Sequence, residues 1–415
     1  MEILNEPTAL LQNTSQNSGK LSDSQDKSHI SLASMNISTI VQSNDEVVII
    51  SDDGLVFRSD GNCSMLQSLS QLNSYYIKKA DMCCIEENES FSVLLLTGDG
   101  KLLRLIKEDR REGNTHRQII IHNEVIALEN KPKMDYVHFK LEPIEHFFFH
   151  EGKSISDVVI KDVKFGKKHG IIMSDDGKCF SFGFNYFGCL GHDYYTKVID
   201  VFNTEDSQSG TISYSARPYF IQTLSKVTVK QISVGDYHTL CVTDDGRVFS
   251  FGRNNYGQLG TGDLIDRYYA SPVTKLMKIK VEKSACGSHF SLVLSEDGTV
   301  FGFGSSQYIC QPAGTECTSP MLIHGFGDAP IEAIHCGRLF SIAVTKNKDI
   351  FIWGEYQQGR LLLEPISLTG LLPSDQTLCN ISCCKQFLFI QCKFVDTAVR
   401  LIFQHVPHYP RKKSC

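Results

Sequence analysis

No apolar run in this sequence approaches the roughly 20 residues needed to cross a bilayer. The densest stretches, FSVLLL and FLFI, are much shorter, so no membrane span is expected. The opening MEILNEPTALLQNTSQNSGK has no basic leader followed by an apolar core, so no secretory signal is expected. A basic excess is also missing. Lys and Arg number 41 against 47 Asp and Glu, a net charge of −6, which argues against general nucleic-acid binding. Tryptophan occurs once, at Trp353.

The motifs of common chemistries are absent as well. There is no Gly-x-x-x-x-Gly-Lys-Ser/Thr phosphate loop, no His-Glu-x-x-His zinc helix and no Gly-x-Ser-x-Gly elbow. Gly-Phe-Gly at 302–304 and again at 325–327 lacks the third glycine of a dinucleotide fingerprint. The 15 cysteines read as reduced thiols of an intracellular chain, cytoplasmic or nuclear. The densest group, Cys379, Cys383, Cys384 and Cys392, lacks paired Cys-x-x-Cys knuckles and reads as core packing. No catalytic residue, metal, cofactor or small-molecule substrate is expected.

What the sequence does contain is a repeated hairpin. Apolar, β-branched strands flank Asp-Gly turns at Asp53-Gly54, Asp99-Gly100, Asp176-Gly177, Asp245-Gly246 and Asp297-Gly298. Such turns need a residue that tolerates positive φ, which glycine adopts at little cost. Degraded versions lie at Asn347-Lys348 and near Val395-Asp396. The spacing is close to 50 residues, widened by two long gaps, and predicts seven units. A period of this size, filled with short strands, indicates a propeller-like array whose units bury their faces against one another.

Two units share a longer phrase. Residues 169–191 read HGIIMSDDGKCFSFGFNYFGCLG and residues 238–260 read HTLCVTDDGRVFSFGRNNYGQLG. The phrase resembles the repeat of the regulator of chromosome condensation family. The residues that carry the resemblance are Gly235, His238, Gly246, Phe251, Gly252, Asn254, Gly257, Gln258, Leu259 and Gly260. In the earlier copy they are Gly166, His169, Gly177, Phe182, Gly183, Asn185, Gly188, Leu190 and Gly191. Residues 286–304 match through the first half, and residues 336–354 match in outline, ending on Trp353 and Gly354. Phe290, Phe340 and Phe387 take the histidine slot in the last three units, which marks a divergent member.

The resemblance implies an all-β, seven-bladed β-propeller of four-stranded antiparallel blades, its ring closed by an N-terminal strand drawn from residues 28–36. Residues 1–36, rich in Ser, Asn and Gln, are expected to be mostly disordered. The propeller occupies 37–405 with long insertions near 105–160 and 192–217, and residues 406–415 form a short basic tail. His169 and His238 are expected to be buried histidines bonded to backbone rather than bases. Paired carboxylates such as Asp244-Asp245 belong to solvated turns.

Partner-binding candidates come from loops, because a rigid scaffold positions its loops for function. They are Arg253, Asn255 and Tyr256 in the repeated phrase, Asp263 and Arg267 just after it, Tyr194 and Tyr195 in the second insertion, and Arg110 and Arg111 in the first. The aromatic run HFFFH at 146–150 reads either as a docking segment or as a blade strand. The expected function is a non-catalytic protein-interaction scaffold. The resemblance also implies two alternatives: guanine-nucleotide exchange on a small GTPase, and substrate recruitment for a ubiquitin ligase. Exchange needs no nucleophile, only stronger binding to the nucleotide-free GTPase. A chromatin role is disfavoured by the acidic balance.

Overall fold

Each Asp-Gly turn is latched by the unit that follows it. The computed structural model describes residues 37–43, 46–60, 67–69, 72, 74–83, 92–108, 138–149, 154–192, 201–206, 210–312, 314, 317–356, 360–368, 377–383, 387–393 and 398–404. Among these residues, Gly54, Gly100, Gly177, Gly246 and Gly298 all turn with φ between +79° and +87°. Their carbonyls accept the first amide of the next unit. Val229 donates to Gly177 at 3.1 Å, Val281 to Gly246 at 3.0 Å and Ile331 to Gly298 at 3.2 Å. A Cβ on Gly246 would lie 2.5 Å from the Lys280 side chain, so the contact itself demands glycine.

Among the described residues the strands fall into seven sheets. Blade 1 holds Ile37–Ser43, Glu46–Ser51, Val56–Asp60 and Gln67–Ser68. Blade 2 holds Ile77–Cys83, Ser92–Thr97, Leu102–Glu108 and His138–Ile144. Blade 3 starts with Ile160–Phe165, His169–Ser174 and Cys179–Phe184 and is completed by Gly210–Phe220. Blade 4 is Val229–Val234, His238–Thr243, Val248–Gly252 and Arg267–Pro272. Blade 5 is Val281–Cys286, Phe290–Ser295, Val300–Gly304 and Cys317–Leu322. Blade 6 is Ile331–Cys336, Phe340–Thr345, Ile350–Tyr356 and Arg360–Ser367. Blade 7 shows three described strands, Thr377–Cys383, Phe387–Lys393 and Ala398–Gln404.

The first strand of each blade touches the first strand of the next, and Thr377–Cys383 touches both Ile331–Cys336 and Ile37–Ser43, so the inner strands form a closed ring. The fold is an all-β propeller. The expected closing segment, residues 28–36, and the tail, residues 406–415, lie outside the described residues. The first described strand, Ile37–Ser43, pairs within blade 1.

Blade-to-blade packing explains the rest of the repeated phrase. Phe251 of blade 4 and Phe303 of blade 5 are fully buried, as is Trp353 at the same place in blade 6. A Cβ on Gly260 would lie 2.8 Å from the Phe303 ring, and one on Gly191 3.2 Å from Phe251. The last glycine of each phrase is therefore the floor for the next blade's aromatic. Burial of each such ring stabilises the fold by about 1.5–3 kcal/mol. Trp353 adds a bond from its indole N–H to the Tyr308 carbonyl of blade 5 at 3.0 Å.

The insertions near 105–160 and 192–217 contain strands of their own. His138–Ile144 is the outer strand of blade 2. The aromatic run joins blade 3, where Phe148 pairs with Tyr219 and Phe147 packs on Phe180 with ring centroids 5.0 Å apart. Of the two readings of HFFFH, the strand is the one observed. Val201–Asp206 pairs with Gly210–Ser215 as a hairpin running past Phe184, the end of the third strand. No helix among the described residues is long and apolar enough to cross a membrane.

Candidate functional site

Because successive strands of a blade run antiparallel, the end of the first strand and the end of the third lie on one face of the ring. The Asp-Gly turns emerge on the other. The loop-bearing face is best built over blades 3 to 6.

Its central element is the connection from Asn254 to Asp266 in blade 4. Asn254 is fully buried. Its amide nitrogen donates to the Asp263 carbonyl at 2.8 Å and its oxygen accepts the Leu259 amide at 2.9 Å. Asn185 does the same for Leu190 in blade 3 at 3.0 Å. Ser250 and Ser181 donate to the Leu259 and Leu190 carbonyls, at 2.8 and 2.7 Å. A buried, fully bonded Asn fixes a loop that has no regular ladder of its own.

The two histidines hold the inner side. His238 Nε2 lies 2.9 Å from the Ser291 hydroxyl of blade 5, and His169 Nε2 lies 3.4 Å from the Thr239 hydroxyl of blade 4. These contacts run to side chains across the blade boundary, and the Phe290 backbone also acts on His238. Burial pushes His238 down to about 3, so it is neutral. Gly235 is required beside it, since a Cβ there would lie 2.2 Å from the imidazole. Phe290 and Phe340 occupy the same slot and rest on Gly287 and Gly337 in the same way.

Above this frame lies an aromatic and cationic surface. The Arg253 guanidinium sits 4.4 Å from the centroid of Phe187, and Tyr256 stacks on His289 at 4.9 Å. Phe187 meets Tyr237 edge-on at 5.5 Å, and Lys167 lies 5.7 Å over the Tyr237 ring. Such cation–aromatic contacts hold both groups in place. Burial pushes the Tyr237 hydroxyl up to about 12. Near the axis Arg338 of blade 6 reaches to 3.8 Å from buried Asp236 of blade 4.

The sequence-chosen residues fare differently. Arg253, Asn255 and Tyr256 are brought to this face, with Asn255 and Tyr256 exposed. Asp263 and Arg267 are tied to each other at 2.5 Å, and Arg267 also donates to the Ile265 carbonyl at 2.8 Å. Burial raises Asp263, but the Ile265 amide and Arg267 outweigh it and its pKa falls below the usual value. This pair shapes the loop. At its tip Leu264 and Ile265 are exposed, Ile265 by 65%. Arg110, Arg111, Tyr194 and Tyr195 lie outside the described residues.

Sequence reasoning missed Leu264 and Ile265, Lys167, His289 and Arg338. Only their place one or two residues after a repeat glycine, Gly166, Gly287 or Gly337, could have found the last three. Among the described residues no three His, Cys, Asp or Glu side chains form a metal-binding group. Cys286 and Cys336 lie 3.9 and 4.0 Å from the hydroxyls of Ser291 and Ser341 within their own blades.

Family models of the regulator of chromosome condensation (RCC1) repeat match residues 176–242 and 245–294, and again 229–258 and 281–310. The chain is a divergent RCC1-like protein. The RCC1 matches fall on blades 3 to 5, where the phrase is best kept. Human E3 ubiquitin-protein ligase HERC2 is 31% identical over 215 residues, covering 50% of this chain and 4% of the ligase. Serine/threonine-protein kinase Nek9 of Xenopus laevis is 33% identical over 144 residues, 32% of this chain and 15% of the kinase. The ultraviolet-B receptor UVR8 of Arabidopsis thaliana is 29% identical, over 49% of this chain and 43% of the receptor. The match thus spans less than half of each relative. Among solved structures, human WBSCR16 superposes with a TM-score of 0.60 at 19% identity, covering 85% of this chain and 86% of the other. Yeast RCC1 (Prp20) bound to Kap60 gives 0.58 at 14%, over 90% and 81%. These likenesses concern the RCC1 fold.

Proposed function

We propose that this RCC1-like propeller is a non-catalytic interaction scaffold that binds another protein on its loop-bearing face over blades 3 to 6. The observation behind this reading is the loop from Asn254 to Asp266. It is bonded internally at nearly every polar position, yet it presents Tyr256, Leu264 and Ile265 to solvent. Rigid loops with exposed aromatic and Arg groups lose little entropy on binding, which is what an interface centre requires.

The test compares partner capture by three full-length forms: wild type, Arg253→Glu with Tyr256→Ala, and Met277→Lys on the opposite face. Met277 is exposed by 62%. The expected result is the same set of proteins on wild type and Met277→Lys, reduced at least about tenfold on the double variant. Equal capture by all three rejects the face.

A second reading is guanine-nucleotide exchange on a small GTPase. It is favoured by the hairpin of Val201–Asp206 and Gly210–Ser215, which runs beyond the third strand of blade 3 on the same side as the loops. An arm of this kind suits insertion beside a bound nucleotide. Release of a fluorescent guanine nucleotide from a panel of small GTPases decides it. Acceleration that is lost on shortening the hairpin supports exchange, and no acceleration rejects it. Recruitment for a ubiquitin ligase is the remaining reading, and capture of ligase subunits by the same face would be its sign.

A further inference from the structure

The outer strand of blade 6, Arg360–Ser367, reads RLLLEPIS, and among the described residues nothing pairs with its outer edge. Which groups face that edge follows from the strand beside it. The Glu355 amide donates to the Leu339 carbonyl at 2.8 Å, so Glu355 bonds toward the second strand of the blade. Gly354 and Tyr356 therefore bond toward the outer strand, to their register partners Leu362 and Arg360. Backbone bonding alternates along an antiparallel strand, so the N–H and C=O groups of Leu361 and Leu363 face the open edge. Side chains alternate between the two faces of the sheet as well. Leu362 packs on the core that holds Phe290 and Trp353 between blades 5 and 6, so Leu361 and Leu363 stand on the other face. They are 40% and 49% exposed.

An open apolar edge invites another strand, and proteins blunt such edges with proline or charge. The outer strand of blade 5, CTSPML, holds Pro320 within it, and that of blade 2, HFKLEPI, holds Lys140 at its middle. The run from Leu361 to Leu363 has neither. It is bracketed instead by opposite charges, Arg360 and Glu364, placed evenly about Leu362. Laid antiparallel on itself about that centre, the strand sets Leu361 opposite Leu363, Leu362 opposite Leu362 and Arg360 opposite Glu364. The same operation on blade 2 sets Lys140 opposite Lys140, and like charges directly opposite are destabilising. Pro365 has no amide to give and ends the segment.

We propose that the outer strand of blade 6 pairs edge to edge and antiparallel with the same strand of a second copy of this chain, through residues 360–364. The contact is isologous, each copy using the same patch. Leu361 and Leu363 exchange backbone bonds with Leu363 and Leu361 of the other copy, about four in all. Strands of about five residues cover much less than the roughly 1,200 Å² of a stable complex, so the dimer is weak. The paired strands run in opposite directions, so the loop-bearing faces of the two rings point opposite ways and both stay open. This goes beyond the scaffold reading and does not depend on it.

Sedimentation equilibrium of the full chain from about 1 to 500 µM is the test. The expected result is monomer at the low end and dimer at the high end, with a dissociation constant of about 10–100 µM. In the paired register Arg360→Glu sets glutamate opposite glutamate, and Glu364→Lys sets lysine opposite arginine. Each variant alone should dimerise about tenfold more weakly than wild type. Mixed in equal amounts, the two variants set opposite charges against each other at both ends, and the mixture should associate as tightly as wild type. Leu361→Lys combined with Leu363→Lys sets lysine opposite lysine and should abolish the dimer. Emission of the buried Trp353 reports whether each variant is folded. The paired lysine variant, at exposed positions, serves where a charge variant is not. Monomer throughout the range overturns the proposal. A dimer indifferent to the folded variants lies elsewhere on the molecule and overturns it too. A mixture that associates no better than its components overturns the register, and the proposal with it.

Discussion

His238 Nε2 lies 2.9 Å from the hydroxyl of Ser291 in the neighbouring blade. Ser291 in turn donates to the Gln258 carbonyl at 2.8 Å, so the imidazole is the donor in this pair. The chain from histidine to serine to loop carbonyl joins the second strand of blade 5 to the Gly-Gln-Leu-Gly turn of blade 4. His238→Phe keeps a flat ring on Gly235, as Phe290 does on Gly287, and loses only this bond. It should cost about 1 kcal/mol. His238→Ala also opens a cavity and should cost about 2–4 kcal/mol. Urea midpoints of the two variants give the comparison.

The same histidine makes stability depend on pH. Burial holds His238 at about 3 in the folded chain, against 6.5 for the free side chain. His335 is held at about 4 by burial and by Lys164 and Lys283. Both are neutral when folded and protonated when unfolded between those values and 6.5. The unfolded state then binds more protons, so stability is full above about pH 6.5 and falls as pH drops toward 4. Each group contributes a slope of about 1.4 kcal/mol per pH unit. Unfolding measured at pH 4.5, 5.5 and 7 should show the fall, and His238→Phe should remove about half of it.

Blade 6 turns on Lys348, with φ of +70°, where blades 1 to 5 use glycine. A side chain in that region costs about 1–2 kcal/mol. The exposed pair of Lys348 with Glu332, at 2.6 Å, returns only part of this. Lys348→Gly should therefore raise the melting temperature by a few degrees. Gly246→Ala, at φ +84° and against Lys280, should lower it. Equal melting temperatures for Lys348→Gly and wild type would refute the strain at this turn.

Asn254→Ala removes the hub of its loop, leaving the Leu259 amide and the Asp263 carbonyl without their partner. A loss of about 2–3 kcal/mol is expected. Hydrogen exchange should rise over residues 259–266 and stay unchanged in blade 6. Capture by the face should weaken too, although Asn254 itself is buried.

Trp353 is the one tryptophan of the chain and is fully buried at the boundary of blades 5 and 6. Its emission should be blue-shifted in the native protein and move to the red when that boundary opens. Trp353→Phe gives up the bond to Tyr308 and should cost about 1–3 kcal/mol. Gly260→Val, which drives a side chain into Phe303, should unfold the protein at a lower urea concentration than wild type.

Much of the fold was legible because a glycine at positive φ and an apolar alternation leave a mark at fixed spacing. Asp245-Gly246 and the phrase that follows it mark blade 4 by residue type and spacing alone. The latch between Gly246 and Val281 left no such mark, since any residue but proline supplies an amide. HFFFH was ambiguous because an aromatic run suits a strand and an interface equally, and pairing of Phe148 with Tyr219 depends on residues far along the chain. Asp263 and Arg267 were chosen for their type. The fold binds them to each other, which four-residue spacing in a loop does not announce.

The latches between successive blades run one way, from each turn to the strand that begins the next unit. A defect at one seam therefore loosens a single pair of neighbours and leaves the other couplings intact. Blade 6 has kept its place with a lysine in its turn and phenylalanine in its histidine slot. Such a ring tolerates wear unevenly around its circumference.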